Sequence, residues 1–358
     1  MSTQPPLNLA VAGLGRMGVI HALHVLELER ETGICKLAAL VDSDTDRAKK
    51  WAAENQVTAP IFDSTEALAA AKAADATIIV TPTHAHRDHA ATLVKAGHRV
   101  LLEKPLTGTL EGDIALAAEL DRDHPNALML AFQRRFDAPL AYAKELMHSG
   151  LIGRVFKIYS TLEDSNPAPD GYASGGILPD MSVHNVDEIL WLTGKMPTRA
   201  MTIGSRLYSY KLTTSEEDFD DALLMLWFAD GAMAQVQVSR NHVSGYRVET
   251  ILFGDEGQIH IGRFDQRPFH ITVEAYGRRG HAQPLALKTF EMRNYGKPLP
   301  EFIDRFGPAY KAEVAMFIAC CRDSKPFPAT HRDGLNAQRV ISAGMSAVML
   351  PEHAAEVK

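Results

Sequence analysis

Cysteine is scarce in this sequence: Cys35, Cys320 and Cys321 are the three present in 358 residues. They are too few and too oddly placed for a disulfide framework or a zinc knuckle, and they read as reduced core thiols. A basic excess is also missing, since 37 Lys and Arg against 44 Asp and Glu give a formal net charge of −7. No Lys/Arg cluster supplies the electrostatic footprint that a nucleic-acid groove requires. Long apolar runs are lacking, and the stretch from Ala76 to Val80 falls far short of the roughly 20 residues a membrane-spanning helix needs. Met1 to Leu9 holds no basic patch followed by an apolar segment, as a secretory signal would. The expectation is a cytoplasmic protein with neither nucleic acid nor membrane as partner. Low-complexity tracts and fixed-period repeats are absent too, which argues against disorder and against a solenoid.

What is there is a globular composition, 46% hydrophobic and 23% charged, on a chain too long for one ordinary core. The first 133 residues alternate short β-branched runs with amphipathic helix-length stretches, the pattern of a parallel sheet covered on both faces. Strands are expected near Leu7 to Ala12, Lys36 to Val41, Ala76 to Val80, Val100 to Glu103 and Leu128 to Phe132, with helices starting near Met17, Thr45, Thr65, His86 and Leu110. This predicts an α/β fold with a Rossmann dinucleotide-binding domain over residues 1–133. From 134 to 358 the texture changes to longer alternating segments such as Arg154 to Thr161, Ala222 to Phe228 and Ala232 to Val238. They predict an α/β domain with a large, mostly antiparallel open sheet. The tail returns to helix at Pro308 to Asp323 and near Gly334 to Met349, and these helices are candidates to pack back on the first domain.

The run Gly13-Leu14-Gly15-Arg16-Met17-Gly18 is a G-x-G-x-x-G directly after a predicted strand and at a predicted helix start. The first glycine permits the tight turn, the second lets backbone approach a pyrophosphate, and the third allows close strand–helix packing. Such a motif is weak alone and gains weight from this position. Gly13, Gly15, Arg16, Met17 and Gly18 are therefore candidate cofactor residues. Asp42 ends the second strand, where an acid accepts hydrogen bonds from the adenosine ribose hydroxyls and repels a 2′-phosphate. With no Arg or Lys before Arg47, the expected cofactor is NAD rather than NADP.

The run His84-Ala85-His86-Arg87-Asp88-His89 matches the H-x-H-x-D-H of metallohydrolases, whose imidazoles and carboxylates gather metal ions. Here it follows a parallel strand, so Thr81, Pro82 and His84 are expected beside the nicotinamide half of the dinucleotide, and the metal reading is a rival. Leu101-Leu102-Glu103-Lys104-Pro105 presents a lysine at the tip of another parallel strand, where open α/β sheets bind ligands. Pro179 and Gly194 bracket a predicted helix in which Asp180, His184 and Asp187 recur at i, i+4 and i+7, on one stripe. Alcohol oxidation needs a group that takes the hydroxyl proton, and an imidazole of unperturbed pKa about 6.5 suits the task. His184 is assigned that role, Lys104 the stabilisation of the developing alkoxide, and Asp180 the orientation of the imidazole or the lysine.

Taken in order, Gly13 to Gly18, Asp42, Thr81-Pro82 with His86, Glu103-Lys104-Pro105, Phe132-Gln133-Arg134-Arg135-Phe136-Asp137, and Asp180 with His184 resemble the glucose-fructose oxidoreductase / inositol dehydrogenase (Gfo/Idh/MocA) family, nearest its inositol dehydrogenase branch. The resemblance implies a Rossmann domain followed by an open-sheet domain through which members often form tetramers, and a catalytic set of Lys104, Asp180 and His184. It adds His86, Glu103, Lys104 and Gln133 to the cofactor residues. It also implies that Arg134, Asp164, Asn166 and Tyr246, with Lys104, Asp180 and His184, reach the substrate. Asp164 stands where inositol dehydrogenases tend to carry a different polar residue, so the polyol stays open. The implied activity is NAD-dependent oxidation of a secondary alcohol of an inositol, pyranose or glycoside. Alternatives are glycoside cleavage through transient oxidation, a metallohydrolase built on His84, His86, Asp88 and His89, and a non-catalytic NAD-binding sensor.

Overall fold

In the computed structural model, the segments read as continuous apolar runs are buried strands. The description covers residues 4–164, 175–206, 218–242, 244–263, 270–278, 283–292, 300–350 and 353–354. Strands β1 (Leu7–Ala12), β2 (Cys35–Val41), β3 (Ile61–Phe62), β4 (Ala76–Ile79), β5 (Arg99–Glu103) and β6 (Leu128–Ala131) form one parallel sheet in the order β3-β2-β1-β4-β5-β6. Leu9 to Ala12, Ile78, Ile79, Leu101 and Leu102 are sealed from solvent, as a sheet covered on both faces demands. Helices α1 (Arg16–Thr32), α2 (Thr45–Glu54), α3 (Thr65–Ala71), α4 (His86–Lys95) and α5 (Leu110–Asp123) alternate with the strands. Their starts follow local chemistry: the side chains of Asp44, Ser64 and Thr109 accept the N–H groups of Arg47, Ala67 and Gly112. This is the expected doubly wound arrangement, and β3 is its one strand that the apolar pattern missed.

The second sheet has nine strands. After α6 (Ala138–His148) come β7 (Val155–Glu163), α7 (Val183–Thr193), β8 (Pro197–Ser205), β9 (Asp221–Phe228), β10 (Met233–Ser239), β11 (Arg247–Gly254), β12 (Gly257–Ile261), β13 (His270–Gly277) and β14 (Ala286–Glu291). The tail adds α8 (Glu301–Asp323), α9 (His331–Met345) and β15 (Val348–Met349). The order is β14-β13-β12-β11-β7-β10-β9-β8-β15, with β7–β10 and β8–β15 parallel and the other pairs antiparallel. The sheet is thus mixed and mostly antiparallel. Strand β9 shows the logic of one covered face: Ala222, Leu224, Leu226 and Phe228 are buried, while Leu223, Met225 and Trp227 are half-buried on the other side.

The chain divides into two compact units, the first of residues 1–133 with 310–335 and the second of residues 134–309 with 336–358. Each tail helix therefore contributes to both. Pro308, expected to open a helix, lies inside α8, which begins seven residues earlier at Glu301. In the first unit Leu130 donates its N–H to the Ala329 carbonyl. Cys35 is buried, and burial pushes its thiol up to about 12, which removes the thiolate that redox chemistry requires. No helix among the described residues is long and apolar enough to cross a membrane.

Candidate active site

The carboxyl ends of β1, β2, β4 and β5 carry Gly13, Asp42, Thr81 and Lys104, the side of an open α/β sheet where ligands sit. Gly13 adopts φ +92, and an added Cβ would lie 2.7 Å from the Val80 carbonyl oxygen. On Gly18 a Cβ would meet the Gly13 oxygen at 1.7 Å, so β1 and α1 approach as the motif predicts. Around Gly15, by contrast, a Cβ would meet nothing within 4 Å. Gly15 precedes α1, whose first turn has neither a side-chain cap nor an acidic residue. Open space beside uncapped helix N–H groups fits a pyrophosphate. Arg16 is exposed and Met17 half-buried beside it.

Asp42 is 3% exposed, and its carboxylate accepts the N–H groups of Leu14 at 2.7 Å and Asp44 at 2.9 Å. Arg47 completes the set, its Nη2 lying 2.5 Å and its Nε 3.2 Å from the two carboxylate oxygens. Arg47 is the first basic residue after Asp42, and the first turn of α2 brings its guanidinium onto the acid. In return the carboxylate raises the guanidinium's proton affinity.

The histidine run does not gather around a point. His84 is exposed on a 3₁₀ turn (Thr83–Ala85), and His89 Nδ1 lies 3.0 Å from the Thr81 hydroxyl. The ring nitrogens of the buried His86 face the Thr81 and Pro105 carbonyls at 2.9 and 2.8 Å. Both edges of the His86 ring thus face carbonyls of the protein itself. Pro82 is exposed and Thr81 half-buried. Glu103, also expected to touch cofactor, instead accepts from His21 at 2.8 Å and from the Lys104 N–H at 3.0 Å. Burial would raise its carboxyl, but the His21 hydrogen bond and charge, with the Lys104 charge, outweigh it and hold the group below the usual carboxylate range. Gln133 is buried on a 3₁₀ turn (Gln133–Phe136) after β6.

The second unit carries the other candidates. The expected helix from Pro179 opens instead with a π turn over Leu178–Ser182 before α7, and Asp180 lies in that turn. Wider turns of this kind often accompany functional sites. Asp180 accepts Arg240 Nη2 at 2.7 Å, an ion pair between largely buried side chains that sequence reasoning missed. His184 is half-buried at the start of α7. Asp187 is taken by Arg135 through two bonds of 2.6 and 3.0 Å.

Arg134, expected to reach substrate, is 1% exposed, with Nη1 2.7 Å from Glu188 Oε2. Nη1 is held inside the unit, while the buried Nε and Nη2 have no hydrogen-bond partner among the described residues. Tyr246 is half-buried; burial pushes its phenol up, the charge of Arg134 opposes this, and that of Asp164 adds to it. Asp164 is fixed through its backbone, donating to Ser239 and accepting from His242. Asn166 lies outside the described residues.

A glycine-turned parallel sheet of this strand order defines a dinucleotide-binding fold. Residues 7–132 match the oxidoreductase family with an NAD-binding Rossmann fold, and residues 140–260 match the GFO/IDH/MocA C-terminal domain. The chain is 32% identical over 325 residues to the scyllo-inositol 2-dehydrogenase (NAD(+)) of Bacillus subtilis, covering 89% of this chain and 87% of that protein. Among solved structures, apo scyllo-inositol dehydrogenase from Lactobacillus casei superposes with a TM-score of 0.81 at 26% identity, covering 97% of both chains. The same enzyme with bound NAD(H) and scyllo-inositol gives 0.79 at 26% identity, covering 96% of this chain and 97% of that one. The chain belongs to the Gfo/Idh/MocA oxidoreductase family, and its relatives include inositol dehydrogenases.

Proposed function

We propose that this protein is an NAD-dependent dehydrogenase that oxidises a secondary alcohol of an inositol or related cyclic polyol to a ketone. The observation that carries the reading is a chain similar nearly end to end to a scyllo-inositol 2-dehydrogenase that also holds the glycine turn, Asp42, Lys104, Asp180 and His184. Bound NAD supplies the acceptor for the hydride that leaves the carbinol carbon. His184 takes the hydroxyl proton as general base. The Lys104 ammonium stabilises the negative charge that develops on the oxygen. Asp180, anchored by Arg240, orients the imidazole. Gly13, Gly15 and Gly18 shape the phosphate turn, with Arg16, Met17, Thr81, Pro82, His84 and Gln133 around the dinucleotide. Asp164, Asn166 and Tyr246 present polar groups to the remaining hydroxyls. Following the absorbance of NADH across inositols, pyranoses and glycosides tests the reading; no reduction with any inositol or pyranose would sink it.

The Asp42–Arg47 pair makes the cofactor preference testable. Asp42→Ala removes the acceptor for the ribose hydroxyls and leaves a half-exposed guanidinium beside that position. One charge-assisted hydrogen bond contributes about 1.5–3 kcal/mol, so NAD affinity is expected to fall on the order of 10–100-fold while NADP affinity rises. Calorimetric titration of both dinucleotides checks this, and an unchanged preference would refute the role given to Asp42.

Self-association is proposed through the open face of the nine-stranded sheet. Leu223, Met225 and Trp227 share that face with the exposed Tyr159, Ile203 and Leu287, and Gln235, Gln237, Glu249 and His260 are interspersed among them, a mixed apolar and polar surface. Sedimentation velocity is expected to give a tetramer, and Met225→Lys to lower the association state; a monomeric wild type contradicts it. Reduced cysteines and the implied small-molecule substrate favour the cytoplasm.

A further inference from the structure

Lys104 leaves β5 between two residues that are each held by a buried histidine. On one side Glu103 binds His21 Nε2 at 2.8 Å, and His21 is fully sealed from solvent. On the other side the Pro105 carbonyl lies 2.8 Å from His86 Nδ1, and the far edge of the same ring, Nε2, lies 2.9 Å from the Thr81 carbonyl. His86 is 1% exposed, and both its partners are carbonyl oxygens, which only accept. The ring must therefore donate, and through its two edges it spans from the end of β4 to the exit of β5. Burying an imidazole without such bonds costs about 1–3 kcal/mol, so a ring that made no use of them would be a poor tenant of this place.

We propose that His86 is a positioning residue for Lys104: it ties the Lys104-Pro105 segment to the Thr81-Pro82 segment and so fixes where the ammonium stands. The groups facing it are the Glu103 carboxylate, whose charge favours a protonated ring, and His89, whose charge disfavours it. Burial is the largest influence and favours the neutral ring. A neutral ring ties one carbonyl at a time, whereas a protonated ring ties both. In either form the tie is lost when the ring is replaced by one without N–H groups. The inference rests on the reading that Lys104 acts on the substrate oxygen.

The test is a double-mutant cycle with His86→Phe and Lys104→Ala, read by single-turnover NADH formation, together with amide exchange of the dinucleotide-free protein. A misplaced catalytic group costs on the order of 10²-fold, so His86→Phe is expected to lower kcat by that order while NAD Kd stays within about twofold. In the Lys104→Ala background the same substitution should change the rate by no more than about twofold, because independent effects would add. Residues 104–107 should exchange faster in His86→Phe with the other β-strands of the first unit unchanged, which also reports that the variant folds. His86→Gln, which keeps N–H donors, should recover part of the loss. Full kcat in His86→Phe, an equal loss in both backgrounds, or unchanged exchange at 104–107 overturns the proposal. Wild-type turnover in Lys104→Ala sinks the reading of Lys104 instead, a result distinct from any of these.

Discussion

His184→Ala is expected to lower kcat about 10³-fold while leaving NAD Kd within about twofold. General acid–base groups contribute on the order of 10²–10⁴-fold, and a 10³-fold loss corresponds to about 4 kcal/mol of transition-state stabilisation. The asymmetry follows from where the residues lie. His184 belongs to the second unit, at the start of α7, whereas the glycine turn, Asp42 and the uncapped N-terminus of α1 belong to the first. Removing the imidazole takes away the proton acceptor and replaces none of the residues assigned to the dinucleotide. The measurement is stopped-flow NADH formation with saturating polyol, alongside calorimetric titration of NAD. A variant with wild-type turnover would refute His184 as base. A parallel loss of turnover and NAD affinity would mean that the ring serves binding rather than proton transfer.

The Rossmann half was legible because its signals are local. Strands buried on both faces are continuous apolar runs, so β1, β4 and β5 stood out, and two of the three motif glycines, Gly13 and Gly18, sit where a Cβ would clash with backbone. Strand β3 escaped because two residues carry no period. Strand β14 escaped for another reason: its residues are largely exposed, with Lys288 and Glu291 among them, and show no buried face. At Pro308 the reading failed because a proline that usually marks a helix start sits within α8. The candidate site was legible as residue types but not as partners. Arg47 lies five residues from Asp42, yet only the turn of α2 shows that they meet. Arg240 and Glu188 lie 60 and 54 residues from the groups they hold, Asp180 and Arg134. No periodicity encodes such pairings, because they depend on how β7, β10 and α7 pack.

That packing sets the second large effect. Glu188→Ala is expected to destabilise the second unit by about 3–5 kcal/mol, the usual cost of removing one member of a buried ion pair. Glu188 is fully sealed, and the Arg134 side chain beside it is 2% exposed. The other carboxylate oxygen accepts from the hydroxyls of Thr250 and Ser160, and Ser160 in turn accepts Asn185 Nδ2 at 2.7 Å. Alanine would thus strand a guanidinium and unsettle the hydroxyls that join α7, β7 and β11. Glu188→Gln keeps an acceptor and should cost less. A double change to Met at 134 and Leu at 188 should recover much of the loss, since two apolar side chains carry no stranded charge. Urea unfolding followed by tryptophan fluorescence reads this in a Trp51→Phe background, because Trp191 and Trp227 belong to the second unit and Trp51 to the first. A loss below about 1 kcal/mol, the range of exposed pairs, would show that the pair is hydrated rather than sealed. Because Glu188 lies one turn after His184 on α7, a true loss of this size also loosens the helix that presents the base, and turnover should fall with stability in the same order of variants.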